Sequence, residues 1–403
     1  MIGRARRANM IAGRDPDALG TLKRSIWLVS LPFGILSFVL PIYGKEIGAD
    51  AVQIGVFFSV FSLMTVLLRP LIGAGLDRFG RRRFYLAGLA GYALTMVVFA
   101  FSAQIWIVVL ARMLQGMASA LLWLSSQAIT ADVAGREERG RAFGAVEQSS
   151  WQGAMVGTTI GFGLLMSLGF ARGWRMLFLG CGAASLVALL LAARRLPETY
   201  AASPQRGRKM IAWTRPWVLL LLVTVVTGAS ASMIWPVVMI YLQEHLSAEV
   251  ALLALAYLPA ALVGALLPTR LGRLADRFGR KPLMVLGMAV AAASSFLIPN
   301  LTSLLALAVL WALQVLCYAA GDPAERALVA DLTGEHQRGR AYGLYALAAG
   351  LGATIGPLFG GWLYESVGPR APFYANGVVL ALCAVVLWLL LDVPTWRDVQ
   401  QFD

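Results

Sequence analysis

Charged residues are scarce in this chain of 403 residues: they make up 14% of it, against about 25% in ordinary soluble proteins. Acidic residues are the scarcer sign, with 21 Asp and Glu against 34 Lys and Arg. Hydrophobic residues make up 59% of the chain, and its mean hydropathy is +0.72. A soluble core cannot bury so much apolar surface, so the composition indicates a multi-pass membrane protein.

Cysteine and histidine are also rare. Cys181, Cys317 and Cys383 lie inside apolar runs without a CxxC spacing, which gives no support to a disulfide, zinc or redox site. His245 and His336 fall in loops, so any proton relay inside the membrane would use carboxylates. The sequence holds no nucleotide-binding loop, metal-ligand set or nucleophile constellation, and we therefore expect neither enzyme activity nor a cofactor.

Twelve apolar runs are long enough to cross a bilayer, which takes about 20 helical residues each. They fall into two sets of six, so we expect an all-α membrane protein with two six-helix bundles. The runs cover residues 25–43, 51–72, 84–102, 105–131, 142–168, 174–193, 216–242, 249–269, 283–299, 302–321, 341–366 and 371–391. The expected divisions are a tail at 1–24, a bundle at 25–193, a linker at 194–215, a bundle at 216–391 and a tail at 392–403.

Lysine and arginine are unequally divided between alternate loops. With the N-terminus inside, the cytoplasmic segments carry 27 of these residues and the outer loops carry four. The positive-inside rule then places both termini in the cytoplasm. The first 23 residues hold no apolar core or cleavage site, so we expect the first run to be an uncleaved anchor. This topology accounts for the net charge of +13 without nucleic-acid binding.

The two halves repeat each other at a single offset of 199 residues. At this offset GAGLDRFGRR (73–82) matches GRLADRFGRK (272–281) at six of ten positions. TADVAGREERGRAFG (130–144) matches VADLTGEHQRGRAYG (329–343) at eight of fifteen positions. Two motifs at one offset indicate a duplication. Because each half has six runs, both copies enter the membrane from the same side, and we expect a parallel pseudo-two-fold repeat.

Both copies of the first motif read Gly-x-x-x-Asp-Arg-x-Gly-Arg followed by Arg or Lys. The first glycine would let a neighbouring helix approach, the acid would meet an arginine or a helix N-terminus, and the second glycine would permit a tight reversal. An ordinary positive-inside loop explains the arginines but not the recurrence of the whole phrase. The motif residues are Gly73, Asp77, Arg78, Gly80, Arg81 and Arg82, and Gly272, Asp276, Arg277, Gly279, Arg280 and Lys281.

In this motif, complete in both halves, the chain resembles the major facilitator superfamily, and the resemblance covers nearly its whole length. The resemblance implies twelve helices in two bundles around a central cavity that opens alternately to either side. It also implies a cytoplasmic gate: Asp77 and its neighbours, and Asp276 and its neighbours, would hold the two halves together when the cavity faces outward.

Ionisable residues within the apolar runs are costly and are therefore candidates for function. Arg112 lies near the middle of the fourth run, and its repeat mate is Trp311. In the resembling family, an arginine here followed by Gln and Gly is often tied to proton coupling; bridging of backbone carbonyls is the alternative. Glu147, near the cytoplasmic end of the fifth run, is either a proton carrier or an interfacial acid paired with a loop arginine.

The stretch AAGDPAERALVAD (319–331) supplies three further proton-coupling candidates, Asp322, Glu325 and Arg326. An acid followed by Pro and, two residues later, by Glu is typical of a helix start. The tenth helix is therefore either broken here, as in transporters that bind substrates at half-helix ends, or already complete at residue 321. In the second case Asp322 caps a cytoplasmic extension and pairs with Arg326.

Helices 1, 4, 7 and 10 line the cavity in the resembling family. Here they offer aromatic side chains and few polar ones, which suits a lipophilic or amphipathic molecule better than a sugar. Packing is the alternative role of these aromatics. The candidates for the cavity are Phe33, Phe38, Gln115, Trp123, Gln127, Trp235, Gln314 and Tyr318.

A glycine-rich motif of antiporters in that family, GxxxGPxxGG, has Thr158 in place of proline on the fifth run and is complete on the eleventh, around Pro357. We expect a monomeric secondary transporter in the cell membrane that exports a small hydrophobic or amphipathic compound, coupled to protons. Uptake or facilitated transport of a small organic nutrient is one alternative. A membrane sensor that has lost transport is another, although two complete gate motifs count against it.

Overall fold

A computed structural model of the chain describes residues 16–134, 139–199, 213–247, 250–266, 280–332 and 338–390. In these ranges the chain is all-helical, without a strand, as the sequence predicts. The first half holds α1 (Pro16–Val29), α2 (Phe33–Phe38), α3 (Leu40–Glu46), α4 (Ala51–Phe79), α5 (Arg81–Ala100), α6 (Ile105–Val133), α7 (Arg139–Leu168) and α8 (Phe170–Arg195). The second half holds α9 (Arg215–His245), α10 (Val250–Leu266), α11 (Arg280–Leu297), α12 (Leu304–Asp331), α13 (Arg338–Ser366) and α14 (Ala371–Leu390).

Eight helices in the described ranges are long and apolar enough to cross a membrane, which confirms a multi-pass membrane protein. The described part of α10 has 17 residues, and the apolar part described for α12 is Leu304–Cys317. Large apolar side chains such as Leu305 and Leu389 are exposed along the helices, as expected of surfaces that face lipid. Twelve crossings and the symmetry axis stay predictions.

The chain forms two compact units. Unit 1 comprises Met1–Ala49 and Val56–Gln205, and unit 2 comprises Asp50–Gly55 and Arg206–Asp403. In unit 1, α1 packs on α7 and α8, and α5 packs on α6 and α8. In unit 2, α9 packs on α13 and α14, and α11 packs on α12 and α14. The same pairs of helices are therefore in contact within each half.

The first apolar run is divided into three short helices, α1 to α3, rather than forming one. Pro32 and Pro41 lack the backbone N–H that would continue the helical hydrogen-bond ladder. Helix α1 ends at Val29, before Pro32, and Val39 separates α2 from α3. The two prolines were the available signal for these interruptions.

Glycines at four-residue intervals bring the first helices of each unit close to a partner. A Cβ at Gly157 of α7 would lie 1.9 Å from the carbonyl oxygen of Leu31, just before α2. In unit 2, a Cβ at Gly356 of α13 would lie 2.1 Å from the Ala229 carbonyl oxygen of α9. These contacts place backbone against backbone, which small residues permit in membrane helices. The antiporter-like motif therefore packs helices in both units.

A buried tyrosine fixes the corresponding helix ends in each unit. In unit 1 the hydroxyl of Tyr43 donates to the carbonyl of Ser102 at 2.8 Å, and its ring stacks on Trp174. In unit 2 the hydroxyl of Tyr241 donates to the carbonyl of Pro299 at 2.8 Å, and its ring packs on Phe373. The tyrosine, the residue whose carbonyl it binds and its aromatic partner in unit 1 therefore recur in unit 2 at nearly the offset of the sequence repeat.

Candidate functional site

The turn between α4 and α5 carries the first gate motif, and Gly80 makes it. Its φ of 91° and ψ of 170° belong to a region that only glycine occupies readily. The carboxylate of Glu198, beyond the end of α8, accepts the backbone N–H of Arg81 at 2.8 Å and of Arg82 at 3.2 Å. An anion at this position satisfies free N–H groups at the positive end of α5.

We call Arg81, Arg82, Asp132, Glu198 and Thr199 the gate cluster. Within it, Arg81 forms an ion pair. Its Nε lies 3.1 Å from Oδ2 of Asp132 at the end of α6, and its Nη1 donates to the carbonyl of Leu76 at 2.8 Å. The Asp132 carboxylate also accepts the hydroxyl of Thr199 at 3.0 Å. Arg82 donates through Nη2 to the Ala193 carbonyl at 2.6 Å. The turn is thus tied to the ends of α6 and α8 within unit 1.

The other described residues of the two motifs differ in their surroundings. Among the residues that the structure describes, a Cβ at Gly73 would meet no atom within 4 Å, and the close helix approach expected there stays a prediction. Arg78 is exposed, with its guanidinium 5.2 Å from the ring centroid of Phe79. Lys281 lies 5.6 Å from the ring centroid of Trp388.

Several gate side chains fall outside the described part of the chain. The predicted roles of these residues stay predictions. They are Asp77, Gly272, Asp276, Arg277, Gly279 and Arg280.

Arg112 lies inside unit 1, on α6, and is 4% exposed. Its Nε donates to the Phe57 carbonyl at 3.1 Å, and its Nη1 donates to Oε1 of Gln115 at 2.7 Å. The guanidinium also lies 4.7 Å from the ring centroid of Phe58 and 5.0 Å from that of Phe61. In the described residues no carboxylate forms an ion pair with it. A backbone carbonyl, an amide and two aromatic faces thus stabilise this buried cation.

An aromatic cluster lies in the same unit. The ring centroid of Phe33, at the start of α2, is 5.8 Å from that of Tyr92 and 6.1 Å from that of Trp123. Tyr92 lies near the side chains of Ser119 and Trp123, and it is close enough to Arg112 to interact with it electrostatically. Two predicted cavity residues, Phe33 and Trp123, are therefore brought together, with a buried cation nearby.

Unit 2 contains a carboxylate bound to a hydroxyl. Helix α12 runs unbroken from Leu304 to Asp331, so the break considered at Asp322 is absent. Glu325 on this helix is half-buried, and its Oε1 lies 3.1 Å from the Thr224 hydroxyl of α9. The same hydroxyl lies 2.9 Å from the Leu220 carbonyl oxygen. A hydroxyl has one hydrogen and can also accept, so Thr224 can bind Glu325 in either protonation state.

The remaining candidates are dispersed. Glu147 is exposed on α7 and has no ion pair among the residues that the structure describes, so pairing with a described loop arginine is not seen. Gln127 and Trp235 are exposed, whereas Phe38 and Gln314 are half-buried. The side chains of Tyr318, Asp322 and Arg326 lie outside the described part.

Four residues of these sites were missed from the sequence alone. Asp132 belongs to the second repeated motif, where its identity with Asp331 was a usable signal. Glu198 and Thr199 follow the basic end of α8 and carry no local signature of a cap. Thr224 is one hydroxyl among several on α9, and only the packing against α12 distinguishes it.

A family model described as Major Facilitator Superfamily matches residues 25–225 and 220–401. The chain belongs to this superfamily. Over 387 residues it is 24% identical to the multidrug resistance protein MdtG of Proteus mirabilis, covering 91% of this chain and 94% of that protein.

Two solved structures share the fold. The occupied, inward-facing structure of a bacterial homologue of the human lysosomal transporter Spinster superposes with a TM-score of 0.75 at 17% identity, over 92% of this chain and 95% of that one. The nucleoside transporter NupG superposes with a TM-score of 0.73 at 14% identity, over 92% and 98%.

Proposed function

We propose that this transporter exports a small hydrophobic or amphipathic compound in exchange for protons. The observation that carries the proposal is the hydrogen bond between Glu325 and Thr224, a half-buried acid held beside a hydroxyl where α12 packs on α9 in unit 2. The name of the relative from Proteus mirabilis, a multidrug resistance protein, supports export of such compounds. The weakly polar cluster of Phe33, Tyr92 and Trp123 also suits lipophilic molecules.

Glu325 is the proton carrier in this proposal. When Glu325 is ionised, the Thr224 hydroxyl donates its hydrogen to the carboxylate. When Glu325 is protonated, the hydroxyl donates to the Leu220 carbonyl and accepts from the carboxylic acid. The Thr224 hydroxyl and Oε1 of Glu325 therefore stay paired in both states, which lets the acid gain and lose a proton without breaking this contact.

Arg112 has an electrostatic role and carries no proton, because a guanidinium stays charged in proteins. It is a buried cation without a carboxylate partner among the described residues. Such a charge favours an anionic group or an electron-rich ring nearby. In this proposal Arg112 couples the binding of substrate in unit 1 to the conformational change of alternating access.

The test uses proteoliposomes that trap a pH-sensitive dye under an inside-acid gradient. Lipophilic cations, sugars and organic acids are added in turn, and we expect lipophilic compounds to release protons and sugars to release none. Glu325→Gln should abolish release while substrate binding persists. Arg112→Ala should abolish release as well. The matched control is Glu147→Gln, which neutralises an exposed acid without an ion pair among the described residues and should leave release unchanged.

If none of the compounds in the panel evokes proton movement, the antiport proposal is overturned. Radiolabelled uptake would then separate the alternatives. Flux without proton movement would indicate facilitated transport or another coupling ion, and binding without flux would indicate a sensor.

A further inference from the structure

A cavity of about 420 Å³ opens on unit 1 between α1, α7 and α8. It is lined by Lys23, Arg24, Trp27 and Leu28 of α1, Ser149 of α7 and Leu191 of α8. It is an open depression on the surface of unit 1 rather than an enclosed pocket, so an occupant would keep one side exposed. None of its lining residues takes part in the gate cluster, the Arg112 site or the Glu325 site.

Two basic residues, half-buried Lys23 and exposed Arg24, line the edge of this cavity. In the described residues, neither Lys23 nor Arg24 has an ion pair or a hydrogen bond. The stem of Lys23 is half-buried against the cavity, so its ammonium group is held near the mouth of the cavity. An anion in the cavity would accept charge-assisted hydrogen bonds from both cations.

The surroundings of the cavity are basic. Arg194 and Arg195 form the last turn of α8, directly after Leu191, and both are exposed. The acids of the adjoining segments are Asp17 on α1, Glu147 on α7 and Glu198 after α8, all exposed, and Glu198 already accepts the backbone N–H groups of Arg81 and Arg82. Glu147 lies two residues before Ser149, about 200° around the helix, and therefore points away from the face that lines the cavity. The field at this end of unit 1 favours an anion.

The rest of the lining is apolar and aromatic. Trp27 lies one helical turn beyond Lys23 on α1, next to Leu28, and Leu191 faces them from α8. A tryptophan beside basic residues is typical of the level of lipid headgroups. A free phosphate would contact only the cations, whereas a phospholipid would also cover the apolar side of the cavity.

We infer that this cavity binds the phosphate group of an anionic phospholipid, with its glycerol backbone and first acyl carbons against Trp27, Leu28 and Leu191. Lys23 and Arg24 donate to the phosphate oxygens. The excess of Lys and Arg in this region predicts that the lipid belongs to the cytoplasmic leaflet. This site is separate from the proposed transport chemistry, and its test needs no transport.

The experiment titrates phosphatidylglycerol into the full-length protein in phosphatidylcholine nanodiscs and counts retained lipids by native mass spectrometry. A basic residue near an anionic headgroup contributes about fivefold in affinity, so Lys23→Gln with Arg24→Gln should weaken binding about 25-fold. The charge-preserving exchange of Lys23→Arg with Arg24→Lys should retain it. Size-exclusion profiles identify any variant that fails to fold.

The matched control removes two exposed charges elsewhere on unit 1, with Arg83→Gln and Arg141→Gln, and should bind phosphatidylglycerol as the wild type does. If this control lost as much affinity for phosphatidylglycerol as the Lys23 and Arg24 double variant, the proposed site would be overturned, because only the total charge of the protein would then matter. Wild-type binding by the Lys23 and Arg24 double variant would also overturn it. Displacement of the lipid by an equimolar concentration of inorganic phosphate would show that the occupant is free phosphate rather than a lipid.

Discussion

The guanidinium of Arg81 binds the carboxylate of Asp132, with Arg81 Nε 3.1 Å from Asp132 Oδ2. The two side chains are 14% and 28% exposed, so water screens this pair less than it would a surface pair. Thr199 donates to the same carboxylate oxygen. The pair thus joins the start of α5, the end of α6 and the segment after α8.

Asp132→Asn should lower the stability of unit 1. The change removes the charge while keeping the size of the side chain, and a hydrogen bond to a charged group contributes about 1.5–3 kcal/mol. We expect a lower melting temperature in detergent, measured by intrinsic fluorescence. Arg83→Gln is the control, because Arg83 is exposed and has no partner in the described part of the chain. An equal effect of both variants would contradict a specific role for the pair.

Gly80→Ala should destabilise the gate turn, whereas Gly73→Ala should not. At Gly80 an alanine would have to adopt φ 91°, at a cost of about 1–3 kcal/mol, and its Cβ would lie 2.6 Å from Glu198 Oε2. At Gly73, inside α4, a Cβ meets nothing within 4 Å in the described part of the chain, and alanine is the better helix former by about 1 kcal/mol. Thermal unfolding of the two variants measures the difference. A melting temperature unchanged by Gly80→Ala would contradict the strained turn.

Positions that are one repeat offset apart in the sequence make matching contacts in the two units. The offset that aligns the two gate motifs also aligns Trp174 with Phe373, and both pack on the tyrosine of their own unit. It likewise aligns Gly157 with Gly356, and both pack against a backbone carbonyl. A duplicated chain reuses the same packing solutions, so agreement at one offset identifies structural positions without any contact being known.

Contacts between distant segments could not be predicted. Nothing local to Arg112 indicates that its Nε meets the Phe57 carbonyl, because that contact depends on how α4 and α6 pack. Glu147 shows the same limit: its place near the end of a run was evident, but not that it faces outward. The interruptions of the first run were predictable from Pro32 and Pro41, since proline's effect on a helix is local.

Gln115→Leu should destabilise unit 1 by leaving a donor of Arg112 without its acceptor. Gln115 is 3% exposed, and its Oε1 accepts from Arg112 Nη1 at 2.7 Å. A buried donor without a partner costs about 1–3 kcal/mol, and more when it is charged. Gln127→Leu makes the same substitution at an exposed position of the same helix and should have little effect. Urea denaturation in mixed micelles compares the two, and equal midpoints would contradict the argument.

Gly157→Ala should separate α7 from the first helices of unit 1. The added Cβ would lie 1.9 Å from the Leu31 carbonyl oxygen, which is backbone and cannot move without the turn that joins α1 to α2. Overpacking of this kind costs about 1–3 kcal/mol. The control is Gly163→Ala on the same helix, where a Cβ meets nothing within 4 Å.

The repeat supplies an independent check of this packing argument. Gly356→Ala in unit 2 should be as damaging as Gly157→Ala, because its Cβ would lie 2.1 Å from the Ala229 carbonyl oxygen. Gly343→Ala on the same helix should be tolerated, since a Cβ there meets no described atom within 4 Å. Melting temperatures of the four variants should fall into two pairs according to the space at each position. Pairing by unit instead, with both α7 variants alike and both α13 variants alike, would show that helix identity rather than close approach sets the cost.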